Sequence, residues 1–359
     1  MMKLVHVVGA RPNFMKVTPV WRAISKRLST RQILVHTGQH YDVNMSEVFF
    51  TDLGLPEPDH YLDVGSGSHA EQTASIMTGF HGVVSRVKPD LVLVYGDVNS
   101  TVAAALVCAK LLIPVGHVEA GLRSLDRTMP EEINRLLTDQ ISDLLFTPSS
   151  DGNENLIREG VNPAKIHLVG NVMIDTLVQL LPKAKDPGSF GLPEKYALVT
   201  LHRPSNVDDL TMLRRIVEML AQISERLKVV FPIHPRTRQR IADFDLRLPG
   251  SESFQLREPM GYLGFISLLQ SSTVAITDSG GIQEETTFLG VPCLTLRENT
   301  ERPVTVTDGT NQLVGKDMNL LCRKVDQILE GDQKEGKIPP LWDGHSAERI
   351  ANVLHDFLN

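Results

Sequence analysis

The sequence contains little cysteine and no run of positive charge, and each absence narrows the class of protein. Only three of its 359 residues are cysteine, namely Cys108, Cys293 and Cys322. They lie far apart, without a CxxC pair or the spacing of a metal site, which favours buried, reduced thiols of a cytoplasmic protein. A net charge of −7 without a basic tract argues against nucleic acid as the main partner. An anionic ligand would therefore need a locally positive pocket.

Membrane, metal and common nucleotide cofactor signatures are also missing. No apolar run is long enough to cross a bilayer, and residues 3–8 are typical of a strand rather than a signal peptide. The chain has no HExxH sequence, and the spacing of His117 and Glu119 is unlike a zinc site, so no metal is expected. The first glycine turn is neither GxGxxG nor a Walker loop, which counts against nicotinamide and ATP. We expect no cofactor.

Apolar strands alternate with helix-length amphipathic segments, the pattern of a parallel, doubly wound α/β fold. The chain is longer than one ordinary core, and residues 183–194 are rich in proline, glycine and charge, as a linker would be. We therefore expect two Rossmann-like domains, 1–182 and 183–345, facing each other across a cleft. A last helix in 346–359 could pack back on the first domain.

The apolar pattern also predicts individual elements. The expected strands are 3–8, 32–36, 91–95, 115–118, 144–148, 166–169, 196–201, 228–233, 254–256, 273–277 and 293–296. The expected helices are 14–28, 70–87, 100–111, 131–141, 151–159, 210–224, 261–270, 283–288 and 347–358.

Titratable side chains follow neighbouring strands of the first predicted domain. The members of this group are Asp97, His117, Glu119, Arg123, Glu131 and Arg135. Because ligands bind at the carboxyl ends of parallel strands, these groups should cluster at one rim and favour acid–base chemistry on a ligand. The alternative is a set of helix caps and rim salt bridges, since structural ion pairs also perturb pKa values.

Two strand-to-helix turns have the features of an anion site. In the first, Arg11 and Lys16 present cations near a helix N-terminus after the tight turn at Gly9. In the second, the sequence Ser279-Gly280-Gly281 exposes successive backbone N–H groups, a suitable cradle for a diphosphate. One of Glu284 and Glu285 could accept hydrogen bonds from ribose hydroxyls.

Two histidines follow consecutive strands of the second predicted domain. His202 stands in a His-Arg context and His234 in a His-Pro-Arg context. An isolated histidine is more often structural, but two at neighbouring strand ends favour contact with a ligand.

In this order, the motifs resemble the non-hydrolysing UDP-N-acetylglucosamine 2-epimerases, whose two-domain fold is shared with GT-B glycosyltransferases. The motifs are Gly9-Ala-Arg-Pro12, Gly38-Gln-His40, Tyr95-Gly-Asp97, His117-Val-Glu-Ala-Gly-Leu-Arg123, Pro130-Glu-Glu-Ile-Asn-Arg135, Gly170-Asn171, His202-Arg203, Asp278-Ser-Gly-Gly-Ile-Gln-Glu-Glu285 and Thr300-Glu-Arg-Pro303. By this resemblance Asp97, Glu119, Glu131 and His202 match catalytic positions. Arg11, His234, Ser279, Gly280, Gly281 and Glu285 match positions that hold UDP. We also expect Lys16, His117, Arg123 and Arg135 to bind substrate.

The resemblance implies the reaction. UDP leaves by anti elimination to give a 2-acetamidoglucal, and re-addition with the opposite C2 configuration interconverts UDP-GlcNAc and UDP-ManNAc. Inverting C2 removes a proton on one face and returns one on the other, so two or more acid–base groups are expected. The implied protein is a cytoplasmic homodimer that acts on a UDP-sugar in polysaccharide biosynthesis.

The sequence departs from the family in ways that leave alternatives open. The usual Gly-Thr-Arg-Pro-Glu opening is here Gly9-Ala-Arg-Pro-Asn13, and the usual His-Arg-Arg-Glu-Asn is here His202-Arg-Pro-Ser-Asn206. A modified substrate, such as a 2,3-diacetamido sugar or its uronic acid, would undergo the same chemistry. A GT-B glycosyltransferase would share the UDP cradle but needs no dense carboxylate set. A silent UDP-sugar sensor would have no use for the catalytic positions.

Regulation gives the first testable prediction. In some bacterial members a second UDP-GlcNAc acts as an activator, contacted partly through a Gln-His-Arg type segment, whereas this chain has Gln39-His40-Tyr41-Asp42. Epimerisation of UDP-ManNAc is therefore expected to start without added UDP-GlcNAc, as a progress curve would show. A long lag that a trace of UDP-GlcNAc abolishes would show that an activator site survives on other residues.

Overall fold

Two parallel β-sheets organise the chain in a computed structural model that describes residues 1–38, 53–185, 187–192, 194–250 and 252–358. The first unit consists of Met1–Thr176 with Pro340–Asn359, and the second of Leu177–Pro339. The side chains of Arg11, Pro187 and Ser189 are not described. The segment 39–42, on which the regulatory prediction rests, also lies outside the described residues.

Seven parallel strands form the sheet of the first unit. They are β1 (Lys3–Val8), β2 (Arg31–His36), β3 (His60–Tyr61), β4 (Leu91–Tyr95), β5 (Val115–Val118), β6 (Leu144–Thr147) and β7 (Ile166–Leu168). The helices are α1 (Arg11–Arg27), α2 (His69–Val87), α3 (Asn99–Lys110), α4 (Pro130–Ile141), α5 (Ser150–Arg158) and α6 (Val172–Leu180). The strand order is β3-β2-β1-β4-β5-β6-β7. From β1 the chain first adds strands on one side of the sheet, and from β4 onward it adds them on the other side.

The second unit repeats this plan with six parallel strands. The helices are α7 (Pro204–Val207), α8 (Leu210–Ser224), α9 (Pro235–Asp243), α10 (Tyr262–Leu269), α11 (Gly280–Leu289), α12 (Pro303–Thr307) and α13 (Met318–Leu329). The strands are β8 (Tyr196–Thr200), β9 (Lys228–Pro232), β10 (Phe254–Arg257), β11 (Val274–Thr277), β12 (Cys293–Thr295) and β13 (Asn311–Leu313). Their order, β10-β9-β8-β11-β12-β13, reverses between β8 and β11. Such a reversal is the point where a doubly wound sheet opens a binding crevice.

The central strands are buried on both faces, which explains their continuous apolar sequences. All five residues of β4 are buried, as are all four of β11. Helices cover both faces of a doubly wound parallel sheet, so alternation of polar and apolar residues is lost. The predicted α/β class with two Rossmann-like sheets is confirmed. No helix among the described residues is both long enough and apolar enough to span a membrane.

The last segment of the chain belongs to the first unit. The helix α14 (Ser346–Leu358) packs on α1, and the carboxylate of Asp175 accepts hydrogen bonds from the backbone N–H groups of Ser346 and Ala347 at 3.1 and 2.7 Å. The buried indole of Trp342 donates to the carbonyl of Pro148 at 2.9 Å.

These units differ from the predicted bounds at 182/183 and 345/346. The return to the first unit begins at Pro340, because Trp342 is buried there, several residues before the last helix starts. The second unit begins at Leu177, within α6, and includes the start of the expected linker. In that linker the backbone N–H of Lys185 donates to Ser267 Oγ at 2.8 Å, so the segment is tied to the second unit.

Trp342 should therefore contribute strongly to the stability of the first unit. Trp342→Ala is expected to lower the free energy of unfolding by about 3–5 kcal/mol, the range for removing a buried aromatic side chain. Trp342→Phe keeps most of the volume but leaves the Pro148 carbonyl unpaired, which costs about 1–3 kcal/mol. Urea unfolding followed by circular dichroism measures both. Phe357→Ala, an exposed position on α14, is the control, and a Trp342→Ala transition that matches this control would contradict the assignment.

Candidate active site

A buried ion pair lies at the carboxyl ends of β1, β4 and β5. The ammonium of Lys16, on α1, contacts the carboxylate of Glu119, and both side chains are buried. Glu119 has a left-handed backbone with φ +73°, and Gly96 has φ +65°. A Cβ at Gly96 would lie 2.7 Å from Lys16 Nζ, so only glycine leaves room for the pair.

Asp97 follows Gly96 and is held by the start of α4. Its carboxylate pairs with Arg135, and its carbonyl accepts a hydrogen bond from Asn134 Nδ2 at 2.9 Å. The guanidinium of Arg135 is buried, whereas the Asp97 side chain keeps 26% of its exposure. Asp97 is thus oriented by a fixed cation and still reaches the surface of the unit.

Glu131 and Glu132 lie side by side in the first turn of α4 and have different surroundings. Glu132 is buried and accepts hydrogen bonds from the backbone N–H groups of Ser124 and Leu125, at 2.9 and 3.0 Å, besides pairing with Arg135. Glu131 is half-buried, and its carboxylate has no hydrogen bond or ion pair with the described residues. Glu132 therefore fixes the loop, and Glu131 is the carboxylate available to a ligand.

His117 and Arg123, which we expected to bind substrate, lie inside the first unit. His117 is fully buried, with Nδ1 2.6 Å from Asp139 Oδ1 and Nε2 2.8 Å from the Gly96 carbonyl oxygen. The guanidinium of Arg123 is buried against the carboxylates of Asp139 and Glu159, both at 2.7 Å. The described structure does not bring either side chain to the surface of the site.

In the second unit a buried carboxylate organises the turn after β8. Asp278 accepts hydrogen bonds from the backbone N–H groups of His202 and Arg203 at 3.1 and 3.0 Å, and from Asn206 Nδ2 at 3.1 Å. Burial favours the neutral acid, but the His202 imidazole and these donors outweigh it and hold the pKa of Asp278 below its usual value. Sequence reasoning included Asp278 only as part of a motif, although it holds the whole His202–Asn206 turn.

The two predicted histidines of this unit lie together. The rings of His202 and His234 have centroids 5.5 Å apart. His202 Nδ1 lies 3.1 Å from Asp278 Oδ1, and the side chain is 41% exposed. His234 caps α9, where its Nδ1 accepts a hydrogen bond from the Arg236 backbone N–H at 3.1 Å. Because Asp278 orients His202 through Nδ1, its Nε2 is the nitrogen available for chemistry.

The two glycines that open α11 have different constraints. A Cβ at Gly280 would lie 2.5 Å from Arg302 Nη1 and 2.9 Å from Glu301 Oε1, whereas one at Gly281 would meet no atom within 4 Å. Ser279 is the N-cap residue, and its side chain makes no capping hydrogen bond. Gly280 is therefore required by packing, and the space beside Gly281 is open to a ligand.

Glu284 and Glu285, the two acidic residues of α11, are both buried. Glu284 pairs with Arg302 at 2.8 Å, and Glu285 accepts a hydrogen bond from the Tyr262 hydroxyl at 2.7 Å. Burial and the nearby Glu285 carboxylate raise the pKa of Tyr262 well above its usual value, so the hydroxyl remains a donor. Arg11 is the first residue of α1, which begins three residues before the predicted start at residue 14, and the side chain of Arg11 is not described. Among the described residues no cluster of three or more His, Cys, Asp or Glu could hold a metal.

Asp278 yields a stability prediction with a defined pH dependence. Asp278→Asn should lower the free energy of unfolding of the second unit by about 1.5–3 kcal/mol at pH 7, the range for hydrogen bonds to charged groups. The folded pKa lies below the unfolded value of 3.8, so this contribution is fully present above pH 3.8 and disappears as the pH falls through the folded value. Urea titrations at pH 7, 5 and 3 test this. Asp208→Asn, which removes more exposed pairs with Arg236 and Arg240, is the control. An equal loss at pH 7 and pH 3 for Asp278→Asn would contradict the prediction.

Comparison with known proteins agrees with this geometry. The family model for UDP-N-acetylglucosamine 2-epimerase matches residues 22–355. A UDP-N-acetylglucosamine 2-epimerase of Methanocaldococcus jannaschii is 44% identical, with 98% of this chain and 99% of the relative covered. A UDP-2,3-diacetamido-2,3-dideoxy-D-glucuronate 2-epimerase of Pseudomonas aeruginosa is 43% identical, with coverage of 98% and 99%.

Solved structures show the same similarity. The crystal structure of the M. jannaschii UDP-GlcNAc 2-epimerase in complex with UDP-GlcNAc and UDP has a TM-score of 0.92 at 44% identity and covers 99% of this chain and 100% of that one. The UDP-GlcNAc 2-epimerase of Neisseria meningitidis bound to UDP-GlcNAc has a TM-score of 0.89 at 31% identity, with coverage of 99% and 100%. This chain therefore belongs to the UDP-N-acetylglucosamine 2-epimerase family.

Proposed function

We propose that this protein interconverts UDP-N-acetylglucosamine and UDP-N-acetylmannosamine by inverting C2 of the sugar. The observation that carries the proposal is the set of carboxylates on the first unit. Asp97 and Glu119 are each paired with a buried cation, and Glu131 has no partner among the described residues. Such a set provides acid–base groups in different electrostatic surroundings at one edge of a sheet, as proton transfer on both faces of one carbon requires.

The proposed reaction has two steps. In the first, a carboxylate takes the C2 proton, a C1=C2 double bond forms, and the C1–O bond breaks to release UDP and a 2-acetamidoglucal. In the second, an acid returns a proton to the other face of C2, and a UDP oxygen bonds to C1 again. Asp97, Glu119, Glu131 and His202 are the proposed acid–base groups. Lys16 and Arg135 hold Glu119 and Asp97 in place.

The second unit would bind the leaving group. The backbone N–H groups at the start of α11, beside Ser279 and Gly281, form the proposed diphosphate cradle, where the helix dipole stabilises the charge gained by departing UDP. Arg11, His234 and Glu285 are the other proposed UDP contacts. The exposed ring of His202 and the open space at Gly281 support this placement.

The identity of the sugar has a second candidate. The Pseudomonas relative, named for a 2,3-diacetamido uronic acid substrate, is almost as similar as the Methanocaldococcus enzyme. We propose UDP-GlcNAc as substrate because the Methanocaldococcus relative and both solved structures named above carry that name. Incubation with each UDP-sugar separately, followed by proton NMR, distinguishes the two.

We propose a homodimer, which sedimentation velocity tests directly, and a cytoplasmic location. The three cysteines are free in the structure, as expected in a reducing compartment. UDP-sugar is the proposed partner, and neither nucleic acid nor a membrane is part of the proposal.

The glycine pair provides a matched test of the cradle. Gly281→Val should leave folding intact, because its Cβ meets no atom within 4 Å, but block the approach of a phosphate. Gly280→Ala should instead lower stability, because its Cβ would lie 2.5 Å from Arg302 Nη1. Arg11→Ala should weaken UDP binding by about 1.5–3 kcal/mol. Calorimetry with UDP and urea unfolding measure the two effects. Unchanged affinity in both Gly281→Val and Arg11→Ala would show that the cradle lies elsewhere.

The carboxylates provide the test of catalysis. In heavy water the wild type, given UDP-GlcNAc and no acceptor, metal or nicotinamide, should incorporate deuterium at C2 and equilibrate with UDP-ManNAc. Asp97→Asn, Glu119→Gln and Glu131→Gln should each lower the rate on the order of 10²–10⁴-fold, the contribution of a positioned acid or base. Glu154→Gln, an exposed position on α5, is the control and should retain activity. If all three variants keep wild-type activity, other residues are the acid–base groups. An inactive wild type would refute the proposed function.

A further inference from the structure

His117 lies between two groups that accept its hydrogen bonds. Its Nε2 is 2.8 Å from the carbonyl oxygen of Gly96, and its Nδ1 is 2.6 Å from Asp139 Oδ1. A carbonyl oxygen only accepts, so Nε2 must carry a proton. The state of Asp139 then decides whether Nδ1 carries one too.

Asp139 is held as a carboxylate by its other contacts. Its Oδ2 accepts hydrogen bonds from the backbone N–H of Gly121 at 3.1 Å and pairs with Arg123 Nη2 at 2.7 Å. Burial alone would raise the pKa of Asp139, but the His117 ring and the Arg123 guanidinium outweigh burial and hold the pKa below its usual value. Asp139 therefore orients the His117 ring through Nδ1, and this orientation aims the Nε2–H at the Gly96 carbonyl.

His117 and its neighbours fix the backbone from which two proposed acid–base groups extend. The N–H of Gly96 donates to the carbonyl of Val118 at 3.0 Å, while His117 donates to the carbonyl of Gly96. Through these two hydrogen bonds, both backbone polar groups of Gly96, just after β4, are tied to residues of β5. The next residues along the two strands are Asp97 and Glu119.

We propose that His117, oriented by Asp139, is a positioning residue that fixes the backbone of Asp97 relative to that of Glu119. Loss of the Nε2 donor would free the left-handed Gly96 and let the two carboxylates separate. The proposal rests on the proposed function, because its kinetic consequence is measured as epimerisation. It replaces the direct contact with substrate that the sequence suggested for His117.

His6 provides an internal reference for the protonation state. This histidine, on β1, is also fully buried, but its Nε2 faces Gln32 Oε1 at 2.9 Å and its Nδ1 faces the Tyr95 hydroxyl at 2.6 Å. The hydroxyl can donate to Nδ1, so one ring proton satisfies both contacts. Burial lowers the pKa of His6 to about 3. His6 is therefore a buried histidine of the same sheet without a carboxylate partner, and its NMR signals are the reference for those of His117.

The first experiment is spectroscopic and does not depend on the epimerase activity. Nitrogen-15 NMR of histidine-labelled wild type should show a protonated Nε2 for His117, as its hydrogen bond to the Gly96 carbonyl requires. Signals are assigned by their loss in His117→Gln and His6→Gln. An unprotonated Nε2 on His117 would overturn the proposal.

The second arm separates positioning from simple structural support. In His117→Gln the amide nitrogen replaces Nε2 and keeps a donor for Gly96, whereas in His117→Asn it replaces Nδ1 and keeps a donor for Asp139. Per folded molecule, His117→Asn should lose about 100-fold in kcat with KM changed by less than about threefold, as misplaced catalytic groups produce. His117→Gln should recover most of this loss. A kcat of wild-type magnitude in folded His117→Asn, or equal losses in the two variants, would overturn the proposal.

Failure of this proposal is distinguishable from failure of the proposed function. Wild type that exchanges no deuterium into C2 refutes the epimerase activity, whatever the NMR shows. Active wild type with an unprotonated Nε2 on His117 refutes only the positioning role. If His117→Asn does not fold, the comparison of His117→Gln with wild type and the NMR result still decide it.

Discussion

The buried ion pair between Lys16 and Glu119 is the constraint on which the first unit's site depends. Desolvating two charges is costly, and removing one partner of such a pair typically destabilises a protein by about 3–5 kcal/mol. The pair requires glycine at position 96, because a Cβ would lie 2.7 Å from Lys16 Nζ. Glu119 itself has a left-handed backbone conformation. Strand ends from β1, β4 and β5 are thus drawn to one point, and Asp97 is placed next to it.

A second carboxylate does the same for the other unit. Asp278, at the end of β11, ties the turn after β8 through backbone and side-chain donors and orients the ring of His202. In both units the groups that position the site are buried and fully bonded, and the groups available to a ligand are their neighbours. Asn13, which stands where the family usually has Glu, belongs to the positioning groups. Its amide bonds the backbone N–H groups of Gly9 and Ala10 at 3.0 Å and the carbonyl of Tyr95 at 2.9 Å, so it stabilises the turn.

The sequence predicted the strand ends better than the side-chain roles. Buried apolar runs such as β4 are visible in the sequence, so the residues that follow the strand ends could be picked out as candidates. The pattern missed α9, which buries only Thr237 and Ile241. It also missed α13, although Met318, Leu321, Val325 and Ile328 are buried at helical spacing. Whether a charged residue faces a ligand or a buried partner depends on contacts distant in sequence. Arg123, for example, was expected beside the ligand, and its guanidinium is buried against Asp139 and Glu159.

The central claim is that the arrangement of carboxylates and cradle cleaves and re-forms the bond between C1 and UDP. Positional isotope exchange tests it most directly, with UDP-GlcNAc carrying oxygen-18 in the bridge between C1 and the β-phosphorus. If UDP departs and returns, the label should move into non-bridging positions of the β-phosphate as C2 acquires deuterium from heavy water. Epimerisation with the label still wholly in the bridge would mean that C2 inverts without loss of UDP. That result would contradict the account.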